Sequence, residues 1–121
     1  LDDGRYGENQ LIDENIIKLF TEYDNVNEKF YRGLGFDKPK PKYDINKCTY
    51  SKYVSESSYG HSGYTGTFFW VDPKYNLIYI FLSNRVYDSR ENRKIYDLNI
   101  RTNIHNLIYE NLVKIEPEIY Y

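Results

Sequence analysis

The sequence predicts an α+β fold, an antiparallel β-sheet with helices packed on it. Three observations carry that prediction. Leu77-Ile78-Tyr79-Ile80-Phe81-Leu82 is an apolar run of strand length, and a turn sequence, Asp72-Pro73-Lys74-Tyr75-Asn76, joins it to the aromatic and Thr-rich run from Tyr64 to Val71, so the two make a hairpin. Ile100, Ile104, Leu107, Ile108 and Leu112 recur at three and four residues, the period of a helix with one apolar face. Ile, Leu, Val and Phe number 32 among 121 residues, enough for a core, although 15 further apolar positions are Tyr.

From the N-terminus, Gly4 and Gly7 punctuate a turn that leads into a short extended stretch over 5–12. Asp13 suits a helix N-cap and Glu14 its first turn; Ile16, Ile17, Leu19 and Phe20 then support an amphipathic helix over 14–22, ended by the polar run Asp24 to Glu28. Phe30 to Phe36 reads as an aromatic strand interrupted by Gly33 and Gly35. Residues 37–47 read as a loop held open by Pro39 and Pro41, with Lys38, Lys40 and Lys42 as a solvated basic cluster. Ser55 to Ser58 continues the irregular region, and the hairpin of 64–71 and 77–82 follows. The second strand has no polar alternation, so it needs cover on both faces. One cover is a helix over 90–113, started by a box-like pair, Asp88 and Glu91, and lying across the hairpin. No second cover is identifiable, so strand 77–82 is expected to be incompletely paired or covered within this chain.

The composition excludes collagen, coiled coil and disulfide scaffold, and no apolar run approaches the roughly 18 residues of a membrane-spanning helix. Sixteen basic against eighteen acidic residues give a net charge of −2, which offers no footprint for nucleic acid or an anionic membrane surface. The single Cys48 cannot form an internal disulfide and reads as a small buried residue, since nothing around it would activate a thiolate. Leu1-Asp2-Asp3-Gly4 is neither basic nor apolar, so no signal peptide is visible, and there is no initiating Met; the chain is expected to be cut from something longer. Abundant Tyr suits amphipathic core and rim positions, and also a carbohydrate surface of stacked rings.

The stretch that carries chemistry is Tyr59-Gly60-His61-Ser62-Gly63-Tyr64-Thr65-Gly66-Thr67. Three glycines in seven residues cost a strand entropy and packing, which implies a close approach to this backbone. On the residues alone, a glycine-kinked strand with His61 as a satisfied polar side chain stays open beside a substrate-facing segment. A Gly-x-Ser-x-Gly elbow fails, because Tyr64 stands two residues after Ser62. A metal site lacks ligands, with only His61 and His105 as histidines, and a phosphate cradle would have to open a helix.

His61-Ser62-Gly63-Tyr64-Thr65-Gly66-Thr67, an aromatic strand, Asp72-Pro73, an apolar strand and Ser83-Asn84-Arg85 together resemble the C-terminal third of the serine β-lactamase and penicillin-binding-protein superfamily, in its class C β-lactamase and esterase branch. Gly33-Leu34-Gly35-Phe36 resembles that family's Gly-Leu-Gly-Trp strand, and Gln10-Leu11-Ile12-Asp13 its approach to the first helix. Arg32 to Asp37 also resembles β-lactamase-like domains fused behind a glycosidase. The resemblance implies a partial β-lactamase/transpeptidase-like fold, with residues 1–121 as the C-terminal portion of a single domain whose N-terminal portion is its partner. It maps the family's Lys-Thr-Gly motif, often His-Ser-Gly in esterases and peptidases, onto His61, Ser62 and Gly63. His61 would hydrogen-bond substrate or the family's catalytic tyrosine. Ser62 would line the acyl pocket, Gly63 would let substrate lie against the strand, and the Tyr64 backbone N–H would be one of two oxyanion-hole donors. Implied substrates are small esters, amides or peptides, cleaved through an acyl-enzyme without cofactor or metal. The family often works in the cell envelope or periplasm.

The departures narrow this. No serine has Lys three residues on, so the nucleophile motif Ser-x-x-Lys is absent. Tyr23-Asp24-Asn25 and Tyr109-Glu110-Asn111 match Tyr-x-Asn in the wrong places. His61 in place of Lys removes the cation that usually grips a β-lactam carboxylate, which favours ester or peptide-like substrates. Two functions follow as expectations. One is the C-terminal part of a serine hydrolase, inactive alone; the other is a non-catalytic interaction or structural module on the same scaffold.

Overall fold

The computed structural model describes residues 2–23 and 31–119. The first glycines turn the chain into a small antiparallel hairpin of β1 (Arg5–Tyr6) and β2 (Asn9–Gln10), paired Arg5 to Gln10. The amphipathic helix follows as α1 (Glu14–Thr21), and the Asp13 carboxylate accepts from the Asn15 N–H at 2.8 Å, the cap expected there. The polar run Asp24 to Glu28, and Phe30, lie outside the described residues.

Residues 31–36 are not a strand. The chain folds back on itself there: the Gly33 N–H donates to the Phe36 carbonyl and the Lys38 N–H to the Tyr31 carbonyl, both at 2.9 Å, with isolated bridges pairing Arg32 to Asp37 and Asp37 to Gly60. The aromatic content suggested extension, but the two glycines favour a bend. The bend sets Phe36 against Tyr59 (ring centroids 5.2 Å apart) and edge-on to Phe69 (6.0 Å). The basic loop also needs correction at one residue. Lys40 and Lys42 are exposed, but Lys38 is only 3% exposed. Its Nζ donates to the Ser57 carbonyl at 3.1 Å and lies 5.2 Å from the Tyr23 ring centroid. Burial pulls its pKa down to about 8, against the pull of Glu22 and Asp72.

The central sheet has the order β3 (Tyr59–Ser62), β4 (Phe68–Asp72), β5 (Leu77–Phe81), antiparallel throughout. The run 64–71 is therefore split: 64–67 make a turn and β4 begins at Phe68, while Tyr59–Ser62 is the glycine-containing strand that the stretch around His61 left open. The turn over 73–75 and the strand after it stand where expected, with Asn76 at φ +49 closing the turn.

On the inner face, Gly60, Trp70 and Tyr79 form one register row, and Ser62, Phe68 and Phe81 the next. Trp70 stacks on Tyr50 at 4.5 Å and on Phe68 at 5.9 Å; Cys48 is buried in the same cluster, as expected. The covering helix is two helices, α2 (Lys94–Asp97) and α3 (Ile100–Ile119), parted at Asn99, whose φ of +49 ends the first. Asp88 caps neither of them. The Ser89 hydroxyl and the Asn92 side chain accept from the N–H groups of Glu91 and Lys94 instead. From α3, His105 stacks on Tyr79 at 4.5 Å with its Nδ1 accepting from the Ser51 N–H at 3.1 Å.

Asp72, fully buried at the end of β4, ties these layers together. Its carboxylate accepts from the Ser55 N–H (2.8 Å) and hydroxyl (2.6 Å), the Tyr109 hydroxyl (2.6 Å) and the Lys74 N–H (3.2 Å). These four donors satisfy the hydrogen-bonding capacity of a carboxylate taken out of water. On the outer face, Ile78, Ile80 and Leu82 are 55%, 62% and 80% exposed, and β5 is an edge strand of this sheet. Among the described residues, then, strand 77–82 is covered on one face and paired on one side.

Candidate functional site

β3 delivers the four predicted residues to the rim of the sheet. His61 pairs with Phe69 across the ladder and is exposed on the outer face. There it lines an open groove of about 440 Å³ with Gly63, Thr67, Phe69, Ile80 and Leu82. Ser62 alternates to the other side of β3. It borders a different cleft, of about 290 Å³, with Tyr31, Arg32, Lys38, Lys40 and Lys47 on its walls. The two neighbours in sequence therefore do not share one wall.

Gly63 and Tyr64 belong to the turn that follows. The Gly63 N–H donates to the Thr67 carbonyl at 2.7 Å, and its carbonyl accepts from the Gly66 N–H at 3.0 Å. Gly66 sits at φ +100, a backbone conformation that side chains disfavour. The peptide joining Gly63 to Tyr64 is trans and planar, so its N–H points opposite to the engaged carbonyl. The Tyr64 N–H consequently aims away from the turn's interior, and it has no hydrogen-bond partner among the described residues. Such a group can be a donor for an incoming carbonyl oxygen.

The close approach read from the three glycines is real, and the protein's own chain makes it. A Cβ at Gly60 would strike the Phe69 carbonyl and Trp70, one at Gly63 would strike the Thr67 hydroxyl, and one at Gly66 would lie 2.6 Å from the Ser83 hydroxyl.

The remaining candidates separate cleanly. His105 is wholly buried, and burial pulls its pKa down to about 4, so it is a neutral core residue. Among the described residues no group of three or more His, Cys, Asp or Glu side chains could hold a metal ion. Tyr109 is buried on Asp72, which removes the Tyr-x-Asn match at 109–111 from any open site. The Tyr23 hydroxyl donates to the Pro39 carbonyl at 2.6 Å; the rest of Tyr23-Asp24-Asn25 lies outside the described residues. Sequence reasoning missed the side chains that hold the turn from behind. Arg101, buried on α3, donates through Nη1 to the Gly66 carbonyl at 3.2 Å, and the Ser83 hydroxyl reaches the Thr65 carbonyl at 3.5 Å. No local pattern marks Arg101, because the buried face of α3 also carries Thr102 and His105 while Ile104 and Leu107 are exposed. No helix among the described residues is long and apolar enough to cross a membrane.

A family model described as Beta-lactamase matches residues 8–102, which takes in β3, the turn and the whole sheet. Among curated relatives, "N-acetylmuramyl-L-alanine amidase" of Bacillus subtilis (strain 168) is 32% identical over 101 residues, covering 80% of this chain and 22% of that protein. "Putative D-alanyl-D-alanine carboxypeptidase" of Escherichia coli (strain K12) is 30% identical over 104 residues, again 80% and 22%. A protein of the same name from Salmonella enteritidis PT4 (strain P125109) is 30% identical over 98 residues, 78% and 21%. The chain thus spans about a fifth of the length of these relatives. No solved structure matches.

Proposed function

This chain belongs to the β-lactamase family of serine hydrolases, and from that premise we propose that it is the C-terminal portion of one β-lactamase-like domain, contributing the His-Ser-Gly strand and one oxyanion-hole donor to an acyl-transfer site. The observation that carries the reading is the outward, unpartnered Tyr64 N–H at the end of β3, beside an exposed His61. A serine oxygen supplied by the rest of the domain attacks an ester or amide carbonyl. The carbonyl oxygen becomes an oxyanion and takes the Tyr64 N–H as one of its donors. The leaving alcohol or amine departs with a proton, and water then hydrolyses the acyl-serine. His61, exposed on the open groove, hydrogen-bonds substrate or the catalytic tyrosine; Ser62, on the other side of the edge strand β3, reaches the acyl group around that edge, and Gly63 lines the groove beside His61. The relatives' names, an amidase and a carboxypeptidase, favour amide and peptide substrates. By itself the chain is inactive, because it holds no Ser-x-x-Lys.

The test is active-site labelling of the full-length protein with a fluorophosphonate and with a penicillin, alongside the 121-residue chain. The full-length protein is expected to label on a serine outside this chain, and the chain alone to remain unlabelled and to leave a chromogenic ester intact. A folded full-length protein that takes neither label supports the other reading, a non-catalytic module on this scaffold. Turnover by the isolated chain that is lost in Ser62→Ala would make Ser62 a nucleophile and overturn the assignment.

A further inference from the structure

We infer that Arg85 is a positioning residue, which fixes the turn over 63–67 and through it the direction of the Tyr64 N–H; the inference rests on the oxyanion role proposed for that N–H. Arg85 follows the end of β5, so its backbone passes directly behind the turn, and its own N–H donates to the Thr65 carbonyl at 2.9 Å. The side chain then returns to the neighbouring carbonyl: Nε donates to the Tyr64 carbonyl at 2.9 Å. It also donates to the Tyr96 hydroxyl at 3.1 Å, and that hydroxyl in turn reaches the Tyr64 carbonyl at 3.5 Å. Nη1 is anchored on the carbonyls of Arg90 and Asn92, each at 3.0 Å. The guanidinium lies 4.7 Å from the Tyr64 ring centroid and 5.1 Å from that of Tyr96, within cation–π range of both.

Among the described residues, none of these contacts is to a carboxylate. A guanidinium whose hydrogen bonds go to backbone carbonyls and a phenol is holding chain in place rather than balancing charge. The consequence for Tyr64 follows from peptide geometry. Two consecutive carbonyls, Tyr64 and Thr65, are held by Arg85, and the preceding residue is held by Gly66 and Thr67. The peptide plane carrying the Tyr64 N–H therefore has both flanks fixed, although Gly63 and Gly66 would otherwise let it rotate. A donor already pointing at the oxyanion needs no reorganisation when the charge develops. Lysine cannot replace this, because a single ammonium lacks the planar fork that reaches the Tyr64 carbonyl and the 90–92 loop together.

The experiment uses the full-length protein with Arg85→Lys and Arg85→Gln. It reads kcat and KM for an ester or amide substrate, the thermal midpoint, and hydrogen exchange of peptides covering 60–67 and 68–72. For both variants the expected result is a fall in kcat of about 10- to 100-fold, below the loss of a whole donor and in the range of a misplaced one, with KM within about twofold. Exchange should rise about tenfold or more at the Gly66 amide and stay unchanged across β4. The inference is overturned by folded variants that keep wild-type kcat. It is overturned equally if exchange rises alike in 60–67 and 68–72 while the midpoint falls, since Arg85 would then be a general strut. Failure of the underlying hydrolase reading looks different: the wild-type protein itself neither labels nor turns over, and no role in acyl transfer remains for Arg85.

Discussion

On its inner face the sheet packs Trp70 between Tyr50 and Phe68 and lays Tyr79 under His105, whereas on its outer face Ile78, Ile80 and Leu82 stand more than half exposed beside His61. The two faces belong to the same three strands and differ by one residue of register. The inner face holds the fold together, and the outer face holds His61, so the core and that residue can be perturbed separately. Among the described residues the apolar side chains of the inner face are covered and those of the outer face are not. Under the function proposed above, the missing cover is the remainder of the domain, and His61 sits where that cover and substrate would meet.

The sharpest way to break the comparison is Trp70→Ala. Removing the Trp70 ring from the inner face should cost about 3–5 kcal/mol in urea unfolding, a large fraction of the stability of a domain this size. If His61→Ala on the outer face cost as much, the division would fail. Acid should act on the inner face next. His105 is buried neutral with its pKa held down to about 4, so the folded state resists the proton that the unfolded chain accepts near 6.5. Its contribution is complete above about pH 6.5 and is lost as pH falls toward 4, on the order of 3 kcal/mol in all. Urea midpoints measured across that interval should fall, and the histidine-dependent part of the fall should vanish in His105→Gln. Tyr109→Phe is the smaller test of the same face. It deletes one donor to the buried Asp72 carboxylate and should cost about 2 kcal/mol, read as a lower thermal midpoint. Ile80→Ser sharpens the other side: stability should stay within about 0.5 kcal/mol, and sedimentation should show less self-association of the isolated chain.

Periodicity located what side chains build. The cap at Asp13, α1, the strand at 77–81 and the turn over 73–75 stand where the pattern put them, because each is set by local capping, turn chemistry or residue propensity; α1 buries none of its residues. β3 showed only as a glycine-kinked strand, and its packing was not legible: Gly60 leaves its space to Trp70, so the residue that packs tightest shows no side chain to read. The helix break falls at Asn99, which leaves the helical conformation, and the three-and-four spacing that begins at Ile100 does not extend back to Ile95, five residues earlier. Lys38 reads as solvated in any sequence, and only the tyrosines and the Ser57 carbonyl brought to it by the fold make its burial possible. Of the site, the His-Ser-Gly-Tyr order was legible as a resemblance, but the opposite orientations of His61 and Ser62 and the hold of Arg85 on the turn are long-range facts. Arg85 reaches back 21 residues to Tyr64, a separation at which local pattern carries no information.

The carboxylate of Asp72 also sets an order of events. Its bonds to Ser55 and Tyr109 close sequence intervals of 17 and 37 residues, while the β4–β5 hairpin beside it closes over a four-residue loop, Pro73 to Asn76. Short loops close at less entropic cost than long ones, so the hairpin can assemble first and the Tyr109 contact must come later. During synthesis the hairpin emerges after Tyr50 but before α3, so until His105 is available the Tyr79 part of its inner side lacks its cover. Newly made chain is therefore most prone to associate with its own copies before its last helix has docked, a vulnerability of timing that the finished protein no longer displays on its inner side.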